Sequence, residues 1–130
     1  MNDEDFLTAF EGATITPEQF GHGAHIRAAY LYLARFPFLE ACMAMRDGLK
    51  RFAAHIGKAG LYNETITVAF MSIVRERMQA CPGLSWVELL AANPDLADRA
   101  LLHRYYRAET LNSARAKDQF VLGDAHREAE

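Results

Sequence analysis

A chain of 130 residues with 14 basic and 17 acidic side chains, 51% hydrophobic and 24% charged, has the size and balance of one ordinary globular domain. Its net charge of -3 disfavours nucleic acid, whose affinity rests on Lys and Arg neutralising phosphates, and no stretch approaches the roughly 18 consecutive apolar residues of a membrane span. Met1-Asn-Asp-Glu-Asp lacks the cationic start of a signal peptide, and Cys42 and Cys81 sit apart on apolar patterns, so a cytoplasmic setting with two unpaired, slowly reacting thiols is expected.

Ala and Leu together number 36 against 9 Val and Ile, and no segment alternates, so the expected fold is all-α. The expected architecture is a single-domain helical bundle of three longer helices with short helices on either side. A first helix is predicted over 3–10, with acids in its first turn where the helix dipole favours them. Thr16-Pro17-Glu18-Gln19 has the capping-box form and predicts one helical turn to Phe20. A second helix is predicted from Gly23 or Ala24 to Phe36, carrying Ile26, Ala29, Tyr30, Leu33 and Phe36, with Pro37 stopping it. The third then repeats Leu39, Cys42, Met45, Leu49, Phe52 and Ile56 until Gly57 and Gly60 end it. Asn63 is expected to cap a fourth helix of about 18 residues, with Ile66, Phe70, Ile73, Val74 and Met78 on its apolar face, before Cys81-Pro82-Gly83. Ser85-Trp-Val-Glu88 predicts a short helix to Ala92, Asp98 a further helix through Tyr106, and Ser113 a last turn toward Phe120. Phe120, Val121 and Leu122 are expected to hold the C-terminal arm on the body, which sets the domain at 1–122 and leaves 123–130 as a loose tail.

The motifs of nucleotide-binding loops, serine hydrolases, zinc proteases and di-iron bundles are all missing from the chain. What remains follows from topology. Tight connections at Pro37 and at 57–61 would make the long helices antiparallel neighbours, bringing His22 and His25, His55, and Glu64 to one end of the bundle. Imidazoles with one carboxylate make a ligand set for a first-row transition metal such as zinc or iron, which gives His22, His25, His55 and Glu64 as metal candidates. Without a metal, His25 and Glu64 are a catalytic acid–base pair. The plainer alternative is structural: His25 and Glu64 bond each other, or contact Arg27 or Arg51, and fix how the helices meet. Tyr62, Thr65 and Thr67 would line the same small polar pocket. His103-Arg-Tyr-Tyr-Arg107 reads as an amphipathic face, and Met43, Met45, Phe52 and Met71 as core.

At His22-Gly-Ala-His25-Ile-Arg-Ala-Ala-Tyr-Leu-Tyr-Leu, Arg51-Phe-Ala-Ala-His55, Tyr62-Asn-Glu64-Thr-Ile-Thr and Leu102-His-Arg-Tyr-Tyr, the chain resembles a family of small bacterial all-helical proteins with no assigned activity. The likeness spans most of 20–122 and implies a single bacterial domain. Such relatives often carry His where this chain has Asn63, so a metal ligand open to them is missing here. Two functional expectations follow from the whole reading. One is an enzyme acting on a small-molecule substrate at the His25 and Glu64 pocket. The other is a non-catalytic module or homo-oligomer that docks through an exposed apolar face, which 14 aromatic residues permit.

Overall fold

Side-chain caps from Asn2, Asn63, Ser85 and Ser113 start four of the helices, and the packing of three long helices decides where the caps end up. The computed structural model describes residues 1–125, without the side chain of His22. Asn2 accepts a hydrogen bond from the Asp5 amide and opens α1 (Asp3–Glu11), which buries Phe6, Leu7 and Phe10. Thr16 and Gln19 bond each other's backbone reciprocally, at 3.0 and 3.2 Å, yet only a turn forms. Gly21 is extended (φ -84°, ψ -165°), so helical dihedrals cannot continue, and a fresh helix, α2 (His22–Arg35), begins behind it.

Pro37 separates α2 from α3 (Phe38–His55), and Gly57, with φ +74°, lets the chain turn after α3 in a conformation that L side chains avoid. A 3-10 turn at Ala59–Leu61 leads to α4 (Glu64–Ala80), opened by Asn63, whose Oδ1 accepts from the Ile66 amide at 2.9 Å. The helices α2, α3 and α4 pack on one another around Ile26, Ala29, Tyr32, Met45, Met71 and Val74. Gly48 belongs to this packing: a Cβ there would lie 2.3 Å from the buried Phe10 ring, so only glycine lets α1 approach α3 so closely. Leu39, expected in the core, is 74% exposed, because two three-residue steps from 39 to 45 rotate the stripe by about 120° away from Met45. Met43, Phe36 and Ile66 are exposed as well.

The short C-terminal helices are α5 (Trp86–Ala92), started by the Ser85 and Glu88 capping box, α6 (Ala108–Leu111) and α7 (Ala114–Asp118), capped by Ser113. Asp98 does not start a helix through Tyr106. Its carboxylate bonds the Ala100 amide two residues on, and only a 3-10 turn at Leu101–Arg104 follows. Of the three residues expected to hold the C-terminal arm, Val121 does so, through its backbone. Thr65 Oγ1 donates to the Gln119 carbonyl and accepts from the Val121 amide, and Tyr106 donates to the Val121 carbonyl, while Phe120 and Leu122 are exposed. The fastening continues into the expected tail, where Asp124 accepts from the Arg107 amide and the Thr110 hydroxyl. Residues 126–130 lie outside the described part. Among the described residues there is no strand, and no helix is long and apolar enough to cross a membrane.

Candidate functional site at one end of the bundle

His25 stands in the first turns of α2, half-buried, with its ring 4.3 Å from that of Phe20. Phe20 in turn stacks on Phe10 at 4.9 Å and meets Phe52 of α3 at 5.1 Å, so the imidazole rests on an aromatic floor built from three separate segments. At 1.5 Å per residue, His25 and Leu49 are both about 18 Å along their helices from Pro37, and the two residues do line one cavity. His55, about 9 Å further out along α3, is exposed and lines neither cavity described below.

Glu64 goes elsewhere. Its Oε1 accepts from Arg46 Nε at 3.1 Å and from the Tyr62 hydroxyl at 2.7 Å. Arg46 lies nine residues before His55, about 13 Å back along α3, and Lys50 sits over the Tyr62 ring at 5.2 Å. The connection at 56–63 therefore doubles back along α3 before α4 begins, which leaves His55 beyond the site. Neither Arg27 nor Arg51 contacts Glu64: Arg27 pairs with Asp3, and Arg51 donates to the Glu11 carbonyl. Burial, reinforced by the bond to Glu64, pushes the Tyr62 phenol above the ordinary tyrosine range, so Tyr62 stays a proton donor to the carboxylate.

His25, His55 and Glu64 of the expected zinc or iron set are not brought together. Among the described residues no three His, Cys, Asp or Glu side chains stand close enough to hold a metal ion. The reasons are local: a guanidinium and a phenol occupy Glu64, His55 is stranded by the returning loop, and Asn63 spends its side chain on the α4 cap and on the Leu111 carbonyl at 2.8 Å. The side chain of His22 lies outside the described part. Glu64 likewise lines neither of the cavities that His25 lines.

What the end of the bundle does contain is a cleft. A cavity of about 370 Å³ opens between the start of α2, α3 and α4, with walls from Phe20, Met45, Leu49, Ile66 and Phe70, and with His25, Thr67 and Arg99 as its polar side chains. A second cavity of about 260 Å³ shares His25, Phe20, Leu49, Ile66 and Thr67 and reaches Tyr62 and Asn63. Thr67 is buried and donates to the Asn63 carbonyl, and Tyr62 is a wall held by Glu64. Thr65, expected beside them, faces the C-terminal arm instead. Phe20 and Arg99 were not singled out by sequence: Phe20 ends an aborted helical turn, and Arg99 lies in a loop about 75 residues distant in the chain, with no motif around it. Comparison with known proteins adds no assignment, since no family model, curated protein or solved structure matches the chain.

Proposed function

We propose that the chain binds a small, mainly apolar molecule in this cleft and that His25 is the group touching it that can exchange a proton. One observation carries the reading: the same half-buried imidazole lines both cavities, on walls otherwise mostly apolar, which is how small-molecule sites combine bulk burial with few polar contacts. An imidazole titrates near neutrality, so an enzyme built on this site would use His25 as general acid or base, with Tyr62 and Glu64 shaping the wall. Glu64 is then a positioning residue. The free thiols Cys42 and Cys81 support a cytoplasmic place for this activity.

A fragment screen read by amide chemical shifts tests the reading. Bound fragments are expected to move the amides of 21–25 and 66–70, with His25→Ala weakening them about tenfold or more and Glu64→Gln weakening them less. Fragments that move only other regions, or affinities indifferent to His25→Ala, would overturn it.

A second reading, association with another copy of the chain, is favoured by a groove between α4, the 104–106 segment and the C-terminal arm. Leu39, Tyr105 and Phe120 are exposed along it, so two copies related by a two-fold axis could cover each other's apolar side chains. Sedimentation equilibrium decides: a dimer dispersed by Phe120→Asp supports it, and a monomer at high concentration removes it.

A further inference from the structure

We infer that the molecule taken by the cleft is an amphiphilic monoanion, a carboxylate on an apolar body, with its charged end on Arg99. The inference rests on the small-molecule reading above and adds the class of ligand. Its first support is the sign of the lining. The chain carries more acids than bases, yet neither cavity has an Asp or Glu in its wall, while the larger has Arg99 and His25.

The second support is the state of Arg99 itself. Arg27, Arg35, Arg46, Arg77 and Arg104 each pair with a carboxylate, whereas Arg99 is exposed at the cleft and makes no hydrogen bond or ion pair among the described residues. Its neighbour Asp98 is turned to the Ala100 amide. A planar guanidinium matches a carboxylate bidentately, so one such group at the mouth suits one carboxylate.

The third support is another part of the same wall. Gly21, also in the wall of the larger cavity, heads α2 with no side-chain cap, no acid follows in the first turn, and a Cβ at Gly21 would meet nothing within 4 Å. The positive end of the α2 dipole thus adds to the charge of Arg99. Beneath these groups, Met45, Leu49, Ile66 and Phe70 offer only apolar contact, which fits a hydrocarbon or aryl body and not a sugar or a nucleotide.

Two pairs of probes differing only in charge test the class: octanoate with octanamide, and 4-phenylbutyrate with 4-phenylbutanamide, titrated into labelled wild type and Arg99→Gln. Arg99 is exposed, so the variant should melt as the wild type does. At least one acid is expected to shift the amides of 21–25 and 66–70 and to bind about tenfold tighter than its amide, a preference that 0.5 M salt reduces and Arg99→Gln removes, the acid losing far more affinity than the amide. If amide and acid bind equally, the ligand class is wrong and the small-molecule reading stands; if the preference survives Arg99→Gln, the charged end does not sit on Arg99 and the inference is overturned. If neither pair shifts those amides at millimolar concentration while other fragments do, the class again falls alone. If no fragment of any kind shifts them, both fall together.

Discussion

Cys42 is buried between α3 and α4, while Cys81 stands half-buried just past the end of α4, and this difference should govern their reactivity although both lie on apolar stretches of sequence. Burial pushes the Cys42 thiol up to about 11, so at neutral pH its reactive thiolate is scarce as well as inaccessible. Under native conditions a thiol reagent should label Cys81 first and Cys42 only as the structure opens, which mass spectrometry of timed samples would show. Equal rates for the two would mean that Cys42 meets water. The same dependence on surroundings explains Glu64. A first-turn glutamate beside a histidine-bearing helix end reads in sequence as a ligand or base, but the neighbour that reaches it is Arg46, brought there by the register of two helices.

At the scale of elements, α4 begins where Asn63 does two jobs at once: it caps the Ile66 amide and donates to the Leu111 carbonyl, tying the bundle to α6. The side chain is buried, so Asn63→Ala leaves two backbone groups short of a partner and should cost about 1 to 3 kcal/mol, with Asn63→Ser recovering the cap alone. Urea unfolding would show this as a lowered midpoint at unchanged slope. A loss below about 0.5 kcal/mol would mean that water replaces both bonds. Caps of this kind were legible because they are local: Asn63, Ser85 and Ser113 each sit three residues from the amide they accept. The 3-10 turns at 94–97 and 101–104 and the single turn of α6 were not, since each is too short to show a period and is held by contacts distant in sequence.

Across the whole molecule, Asp95 links the C-terminal half to the bundle. It takes a bidentate pair of bonds from Arg77 of α4, both at 2.8 Å, and a third from Arg104 at 2.9 Å. Arg77 first, and Arg104 after it, hold the Asp95 carboxyl well below the usual carboxylate range. A group whose folded pKa is depressed contributes stability that is present above its unfolded value, about 4, and is lost as pH falls below it. Thermal melts from pH 7 downward should therefore show the wild type losing stability through and below pH ~4. Asp95→Asn should start lower at pH 7 and decline less, and parallel curves for the two proteins would rule out this linkage. Asp124, also depressed by Thr110 and the Arg107 amide, would keep some acid sensitivity in the variant.

The sequence by itself determined that the chain is all-α and where its long helices start and stop, because propensity, caps and apolar period act over a few residues. Only the tertiary structure decided which of the candidate site residues meet. The length of chain used by the returning loop at 56–63 set the register of α4 against α3. That register gave Glu64 to Arg46 and left His55 outside, while the turn at Pro37 matched His25 with Leu49 across the cleft that Phe20 and Arg99 complete. A side chain's partners depend on register between helices, and register is set by loop path and packing, neither of which has a period to read.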